Sequence, residues 1–372
     1  GEKLRGLIAK ENMLISLDDF GDAQLFEDKT IYSSIILLSK AGQPTFVYSS
    51  VDSANKLWAG EKIDTVELSA TVLNELPWRL TTDFDFLKML QRLDAVAVPI
   101  TKHADIFTGI QTSAEQKRTY WFTDEEVINE TDKCYTIQRD GRIFSIEKGI
   151  LRPYFKPVKK SEKKQDTYSY LTTNKHIIFP YDVTGKIIPL DELQTNYSGT
   201  YEYLVANYDI LAPKGIVSGG KRDVNYATTE TWYRYGRHQA LTVFNDRKKL
   251  IVGILSKDPM YALDTNDYLI ASGDTAGYCA VCKQEDSPYA LEYIQAWLTN
   301  EYTEKILQII GSDFENGFYS RGRSVLVTLP FVELNFDDSK QKAIYDRVVE
   351  ATCAIYRINE ELNGQPAKRI AS

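Results

Sequence analysis

Apolar positions along this chain alternate in some stretches, run together in others and recur at helical spacing elsewhere, and each pattern predicts an element. Leu4, Leu7 and Ile8 share one face of a short helix over residues 3–11. Residues 13–17 and 45–49 read as strands, and residues 31–38 are so nearly continuous in apolar side chains that they predict a strand covered on both faces. From about 60 to 93, Val66, Leu68, Val72, Leu73 and Leu76, then Phe84, Phe86, Leu87, Leu90 and Leu93, predict helix broken at Pro77. Two alternating runs, 135–138 and 143–146, flank Arg139-Asp140-Gly141-Arg142, and Asp-Gly in that setting predicts a hairpin. Residues 175–181 predict a strand ending at Pro180 and 191–211 a helix; 249–255, 268–271, 278–282 and 325–330 predict further strands. Helices are expected over 288–298, 302–310 and 339–362, the last with Ile344, Val348, Val349 and Ile355 on its apolar side. The fold class expected is α/β with α+β character: a partial sheet, a mixed β-rich middle and a helical end.

Residues 231–241 concentrate polar chemistry. Arg234 and Arg237 carry permanent charge and planar forks of donors suited to phosphate oxygens or a guanine edge, and Gln239 offers the paired donor and acceptor that adenine requires. Trp232, Tyr233 and Tyr235 add rigid faces, and Gly236 permits a turn or a close approach. A buried aromatic strand with arginines in surface ion pairs is the competing reading. Other basic or amide groups repeat the theme: Gln111 and Thr112 at the tip of a turn made at Gly109, Lys117 and Arg118 beside Tyr120 and Trp121, and Lys156 at the head of a basic run to Lys164. Lys221 and Arg222 follow the Gly219-Gly220 pair in what reads as a flexible loop, and Arg321 and Arg323 flank Gly322.

Length and composition narrow the class. At 372 residues the chain predicts two or three domains, and 43% hydrophobic with 26% charged residues is the composition of a soluble globular protein. No run of apolar residues is long enough for a membrane span and no leader opens the chain, so no membrane partner and a cytoplasmic location are expected. The chain starts at Gly1 without Met, which suggests an internal piece of a longer protein or a trimmed tag. Cys134, Cys279, Cys282 and Cys353 are too scattered for a disulfide framework, and Cys279 and Cys282 are half of a zinc motif without its other half, so no metal is expected. The net charge of -8 counts against nucleic acid only as an average: residues 99–255 carry 23 Lys and Arg against 19 Asp and Glu, whereas residues 256–335 carry 5 against 12. Phosphate binding needs a local basic face, because screening confines the field to about 10 Å.

With these residues in view, a family resemblance emerges. Leu4-Arg5, Asp19-Phe20-Gly21, residues 25–28, Tyr32 and residues 35–40 resemble the end of the catalytic domain of adenine-specific DNA methyltransferases, especially those fused into type IIG restriction-modification enzymes. Residues 104–113, 149–157, 176–181 and 231–241 resemble, in order, segments of the target recognition domains of the same enzymes. The family grips its methyl donor, S-adenosylmethionine, with a Gly-rich turn and its target amine with an Asn-Pro-Pro-Tyr motif. Neither stands in this chain, where Asp258-Pro259-Met260-Tyr261 is the nearest approach. The resemblance therefore implies no cofactor and no catalytic residue here, with S-adenosylmethionine used by the parent.

The layout implied is a remnant of the catalytic domain over 1–60, a helical linker over 61–93, a DNA-binding recognition domain over 94–335 and a closing helix over 336–372. Double-stranded DNA is the expected partner, with the absent methyltransferase portion, a nuclease portion of the parent, and a second copy of the fragment as further ones. The alternatives are a separate specificity subunit that assembles with a methyltransferase, which should lack catalytic-sheet strands, and a carbohydrate-active enzyme, for which no carboxylate pair stands out.

Overall fold

A computed structural model describes residues 1–364 except 22, 24, 27–30, 52, 115–117, 157–166, 273–276, 312 and 315–317. The chain divides into two compact units. Residues 1–104, 255–259 and 284–352 form the first; 105–254, 260–283 and the chain from 353 onward form the second.

The first unit opens with helix α1 (Glu2–Lys10) and strands β1 (Leu14–Asp19), β2 (Ser34–Leu38) and β3 (Thr45–Ser50), then helix α2 (Ala54–Trp58) and strand β4 (Asp64–Ser69). The strands lie in the order β2-β1-β3-β4, with β1 and β3 parallel and the outer pairs antiparallel. Alternation along β3 sends Phe46 and Tyr48 into a core shared with Ile8, Leu14, Leu17 and Leu68. Two expectations fail here. The continuous apolar run of β2 is exposed at all five positions: β2 is an edge strand, and no described residue buries either of its faces. The stretch read as helix from 60 begins instead as β4, paired with β3 over its whole length, since Val66 and Leu68 recur every second residue. Helix resumes at α3 (Phe84–Asp94), where the Asp83 carboxylate caps the Asp85 and Phe86 amides at 3.1 and 3.0 Å. A short strand, β5 (Ala97–Pro99), follows.

The second unit is assembled from β6 (Ala104–Thr108), β7 (Trp121–Thr123), β8 (Val127–Glu130), β9 (Cys134–Arg139), β10 (Arg142–Glu147), β11 (Leu151–Phe155) and β12 (Lys175–Ile178). The predicted hairpin joins β9 to β10, with Asp140 and Gly141 both at positive φ, the geometry of the favoured two-residue turn. The helix expected over 191–211 is three short ones, α4 (Leu190–Asn196), α5 (Ser198–Ala206) and α6 (Tyr208–Leu211). The break before α5 has a cause: Glu147 of β10 accepts the Gly199 and Thr200 amides, and Gly199 approaches so closely that a Cβ would lie 2.2 Å from the Ser145 carbonyl oxygen. Strands β13 (Lys249–Gly253), β15 (Tyr261–Asp264), β16 (Leu269–Ile270) and β17 (Tyr278–Lys283) complete this unit; β14 (Leu255–Ser256), which follows β13 in the chain, belongs to the first. The sheets run β10-β9-β8, β16-β11-β12-β7 and β15-β13-β17-β6. Cys279 and Cys282 are buried in β17, where burial pushes the Cys282 thiol up to about 11, and no group of metal-binding side chains occurs among the described residues.

The chain then returns to the first unit with α7 (Leu291–Thr299), α8 (Glu301–Ile310), β18 (Asp313–Phe314), β19 (Phe318–Ser320), α9 (Arg323–Leu326) and β20 (Pro330–Val332). Residues 325–330, read as a strand, are mostly helix and turn, because Gly322 opens α9 and accepts the Val325 amide; only the segment from Pro330 pairs, with β5. The last helix, α10 (Ser339–Gly364), starts in the first unit and ends in the second. No described helix is long and apolar enough to cross a membrane.

Candidate nucleic-acid interface

Residues 231–241 form neither strand nor helix, and alternation divides their side chains. Tyr233 and Tyr235 point inward and are sealed, the Tyr233 hydroxyl donating to the Ile188 carbonyl and the Tyr235 hydroxyl to that of Ile178 at 2.6 Å. Burial raises both phenols well above the ordinary range, so they remain neutral donors. Tyr120 and Tyr181 pack edge-on against Tyr235, each at 5.1 Å between ring centres. Between these anchors Arg234, Arg237 and Gln239 are half-buried and His238 is exposed.

Backbone hydrogen bonds weld this segment to two others of the second unit. Gly236 donates to the Thr112 carbonyl at 2.9 Å, Arg237 to that of Gln111 at 3.1 Å, and Asn225 to that of Gly236 at 2.9 Å. The Gln239 amide donates one hydrogen to the Gly109 carbonyl at 2.9 Å, which orients its other N–H and its oxygen. Gly109 lies against β16, where a Cβ would meet the Ile270 carbonyl oxygen at 2.4 Å, so close approach explains this glycine. Gly236 is fixed likewise, since its Cβ would lie 1.9 Å from the Ser113 hydroxyl oxygen. Gly236→Ala is therefore expected to cost roughly 1–3 kcal/mol in urea unfolding. Ser113→Gly, which removes the obstacle at a residue of φ 53°, should recover most of that loss; no recovery would mean that another contact sets the requirement.

Several residues expected to touch DNA are used inside the protein. Arg222, with 4% of its surface exposed, gives its guanidinium to the carbonyls of Leu211, Thr112, Arg234 and Trp232, so the loop expected to be flexible is fastened from within. Gly220 confirms the tight fit, as a Cβ there would lie 2.1 Å from the Pro213 oxygen. Thr112, Tyr233 and Tyr235 are buried too. Arg321, fully buried in the first unit, pairs with Glu304 and donates to Ser256. These five side chains have no surface with which to meet a duplex. Arg118 pairs with Glu126 at 3.3 Å and lies over the Trp121 ring. Lys156 is half-buried just past β11, Arg323 is exposed at the start of α9, and Lys117, like Lys159 to Lys164, lies outside the described residues.

What the three joined segments leave at the surface is Gln111, Lys221, Arg234, Arg237, His238 and Gln239, with Asp223, Asn225 and Tyr226 among them. Arg237 pairs with Asp223 at 2.6 Å and reaches Asn225 at 3.3 Å; Arg234 donates to the Tyr226 carbonyl at 3.1 Å. Asp223, Asn225 and Tyr226 went unnoticed in the sequence. Their signal is weak there, because only the folded loops bring residues 223–226 beside 234–237.

A mixed α/β chain with this pattern is related in sequence to type II restriction-modification enzymes that carry a methyltransferase. It is 32% identical over 358 residues to the type II restriction enzyme and methyltransferase RM.Eco57I of Escherichia coli, an alignment that takes in 94% of this chain and 35% of that protein. The chain thus spans about a third of that relative's length. Its fold matches part of the type IIL restriction-modification enzyme MmeI, solved in complex with DNA, with a TM-score of 0.53 and 13% identity over 98% of this chain and 40% of that one. No family model matches the chain.

Proposed function

We propose that the second unit reads double-stranded DNA through residues 109–113, 221–226 and 234–239, serving an adenine-specific methyltransferase of a type II restriction-modification system. The observation that carries this reading is the division of residues 232–239: tyrosines lock the inner side, and Arg234, Arg237 and Gln239 stay at the surface on a braced backbone. Duplex recognition needs such a division, with phosphate contacts to set register and a few rigidly held amides and guanidinium groups to meet base edges. Lys221 and Arg234 are assigned to phosphates, with Lys156 as an outlying phosphate contact, and Gln111, Arg237 and Gln239 to bases. Methyl transfer from S-adenosylmethionine is assigned to the remainder of a longer polypeptide, because this chain has neither the Gly-rich turn nor the Asn-Pro-Pro-Tyr motif. The β1 to β4 sheet supports a fused enzyme over a separate specificity subunit. Its edge strand β2 exposes Ile35, Ile36, Leu37 and Leu38, apolar surface that further strands of a catalytic sheet would cover.

The test is equilibrium binding of the full chain to a panel of duplexes. Affinity should fall steeply as salt rises, and Arg237→Ala or Gln239→Ala should cost about 1–3 kcal/mol on the preferred sequence while relaxing choice at one base pair. Equal weakening on every sequence would reassign these two residues to phosphates. Indifference to DNA even at low salt would end the proposal.

A further inference from the structure

Two tyrosines among the described residues hold their backbone in the left-handed region, Tyr168 at φ 62° and Tyr226 at φ 59°. A bulky residue adopts that region at a cost to stability, so each needs a reason to be there. Tyr168 finds one inside the protein, its ring edge-on to that of Tyr356 at 6.0 Å between centres. Tyr226 does not: it is 77% exposed, and among the described residues neither its ring nor its hydroxyl meets a partner. The backbone that carries it is nonetheless firmly held. Asn225 donates its amide to the Gly236 carbonyl at 2.9 Å, Arg234 donates to the Tyr226 carbonyl at 3.1 Å, and the Thr228 amide donates to the Thr231 hydroxyl at 2.9 Å to close the turn that follows. A strained conformation thus presents a fixed aromatic ring to solvent, on a segment bonded to the one that carries Arg237 and Gln239. Neither the strain nor the exposure helps the protein fold.

We infer, resting on the DNA reading proposed above, that Tyr226 inserts its ring between two adjacent base pairs of the bound duplex and opens that step. Amides and guanidinium groups meet base edges and phosphates, whereas an exposed aromatic face gains most by stacking on a base, about tenfold in affinity for a single ring. A ring on a loose loop would forfeit much of that gain in becoming ordered; one already fixed keeps it. Arg234 couples the two kinds of contact, since the guanidinium assigned to phosphate also fixes the Tyr226 carbonyl. Separating stacked pairs costs least at pyrimidine–purine steps, so an inserted side chain turns the stiffness of a step into a feature that can be read. Tyr226 therefore favours TA, CA or TG at one position of the target, through the deformability of the duplex and not through a base edge.

Binding of the full chain to its preferred duplex, carrying 2-aminopurine at successive positions, tests this directly. Emission should change sharply at one step and stay near that of the free duplex elsewhere. Tyr226→Ala should abolish that change, weaken binding about tenfold and erase the preference among step types, while the base preferences set by Arg237 and Gln239 remain. Tyr226→Phe, which keeps the ring, should retain both signal and affinity. Tyr226→Asn should bind as weakly as Tyr226→Ala yet melt about 2 °C above the wild type, since asparagine adopts the left-handed region more readily and no packing is lost. Sequence-selective binding without a 2-aminopurine signal, or with a signal that Tyr226→Ala leaves intact, overturns the inference and leaves the DNA reading standing. So does a Phe variant as weak as the Ala one, which would place the contact in the hydroxyl, or a melting midpoint that falls in Tyr226→Asn, which would return the ring to the protein's own packing. A chain that binds no duplex overturns the DNA reading, and the insertion with it.

Discussion

Arg222→Met is expected to destabilise the second unit by roughly 3–5 kcal/mol, the range for leaving buried acceptors without their donor and loosening the packing around them. The Arg222 guanidinium holds four carbonyl oxygens, at 2.9 Å for Leu211, 3.1 Å for Thr112, 2.6 Å for Arg234 and 2.7 Å for Trp232, and lies over the Tyr120 ring. Among the described residues no carboxylate pairs with it, so carbonyl dipoles and an aromatic face carry the charge. Methionine fills the volume and takes the donor from the Leu211 and Trp232 carbonyls, each worth about 1–3 kcal/mol if it stays dry, whereas the Thr112 and Arg234 carbonyls keep the Gly236 amide and the Tyr120 hydroxyl. Arg222→Lys should rescue little, since one ammonium cannot span positions set by a planar fork. Urea unfolding followed by tyrosine and tryptophan fluorescence is the measurement, and a thermal midpoint about 10 °C lower is the companion expectation at ~2–4 °C per kcal/mol. A loss under ~1 kcal/mol would show that the four carbonyls find other donors or water and that the guanidinium is dispensable. Because two of those carbonyls belong to residues 112 and 234, the same substitution should loosen the proposed DNA-reading loops.

The second large effect is expected at Lys249 and Asp264, both fully buried and 2.7 Å apart across β13 and β15. Asp264 also accepts the amides of Asn266 at 2.7 Å and Tyr268 at 2.9 Å, which shape the turn leading into β16. Lys249→Met removes the only cation within ion-pair distance of Asp264 among the described residues and leaves a buried carboxylate uncompensated, at a cost of roughly 3–5 kcal/mol. Lys249→Met combined with Asp264→Asn should recover about 1–2 kcal/mol of that loss, since the amide carries no charge yet keeps one acceptor for the turn. A double variant less stable than Lys249→Met would mean that the turn amides, rather than the ion pair, govern the site.

Arg222, lost from the candidate interface, and Arg234, kept in it, show how far residue type can lead. Arg222 and Arg234 stand in equally polar surroundings in the sequence, and nothing local separates a guanidinium that will tie carbonyls together from one that will meet a ligand. The difference is made by distant backbone: residues 112 and 211 converge on Arg222, whereas among the described residues Arg234 has acceptors close in sequence, Tyr226 and His238. The tyrosines show the same division, for alternation foretells that Tyr233 and Tyr235 share a side but not which side is sealed.

By itself the sequence determined the elements whose pattern is closed within a few residues. These are the Asp140-Gly141 hairpin, the helices at 84–94 and 301–310, the long final helix, the buried strands β13 and β17, and the ordered series of short segments that relates the chain to restriction-modification methyltransferases. Tertiary structure decided coverage and partnership: that β2 is an exposed edge, that residues 64–69 pair with β3 instead of coiling, that Arg321 is interior, and that residues 109–113, 221–226 and 234–239 meet. The physical reason is range. Backbone preference and periodicity act between neighbours in sequence, whereas burial and hydrogen-bond partners are set by residues that fold brings together from a hundred positions away.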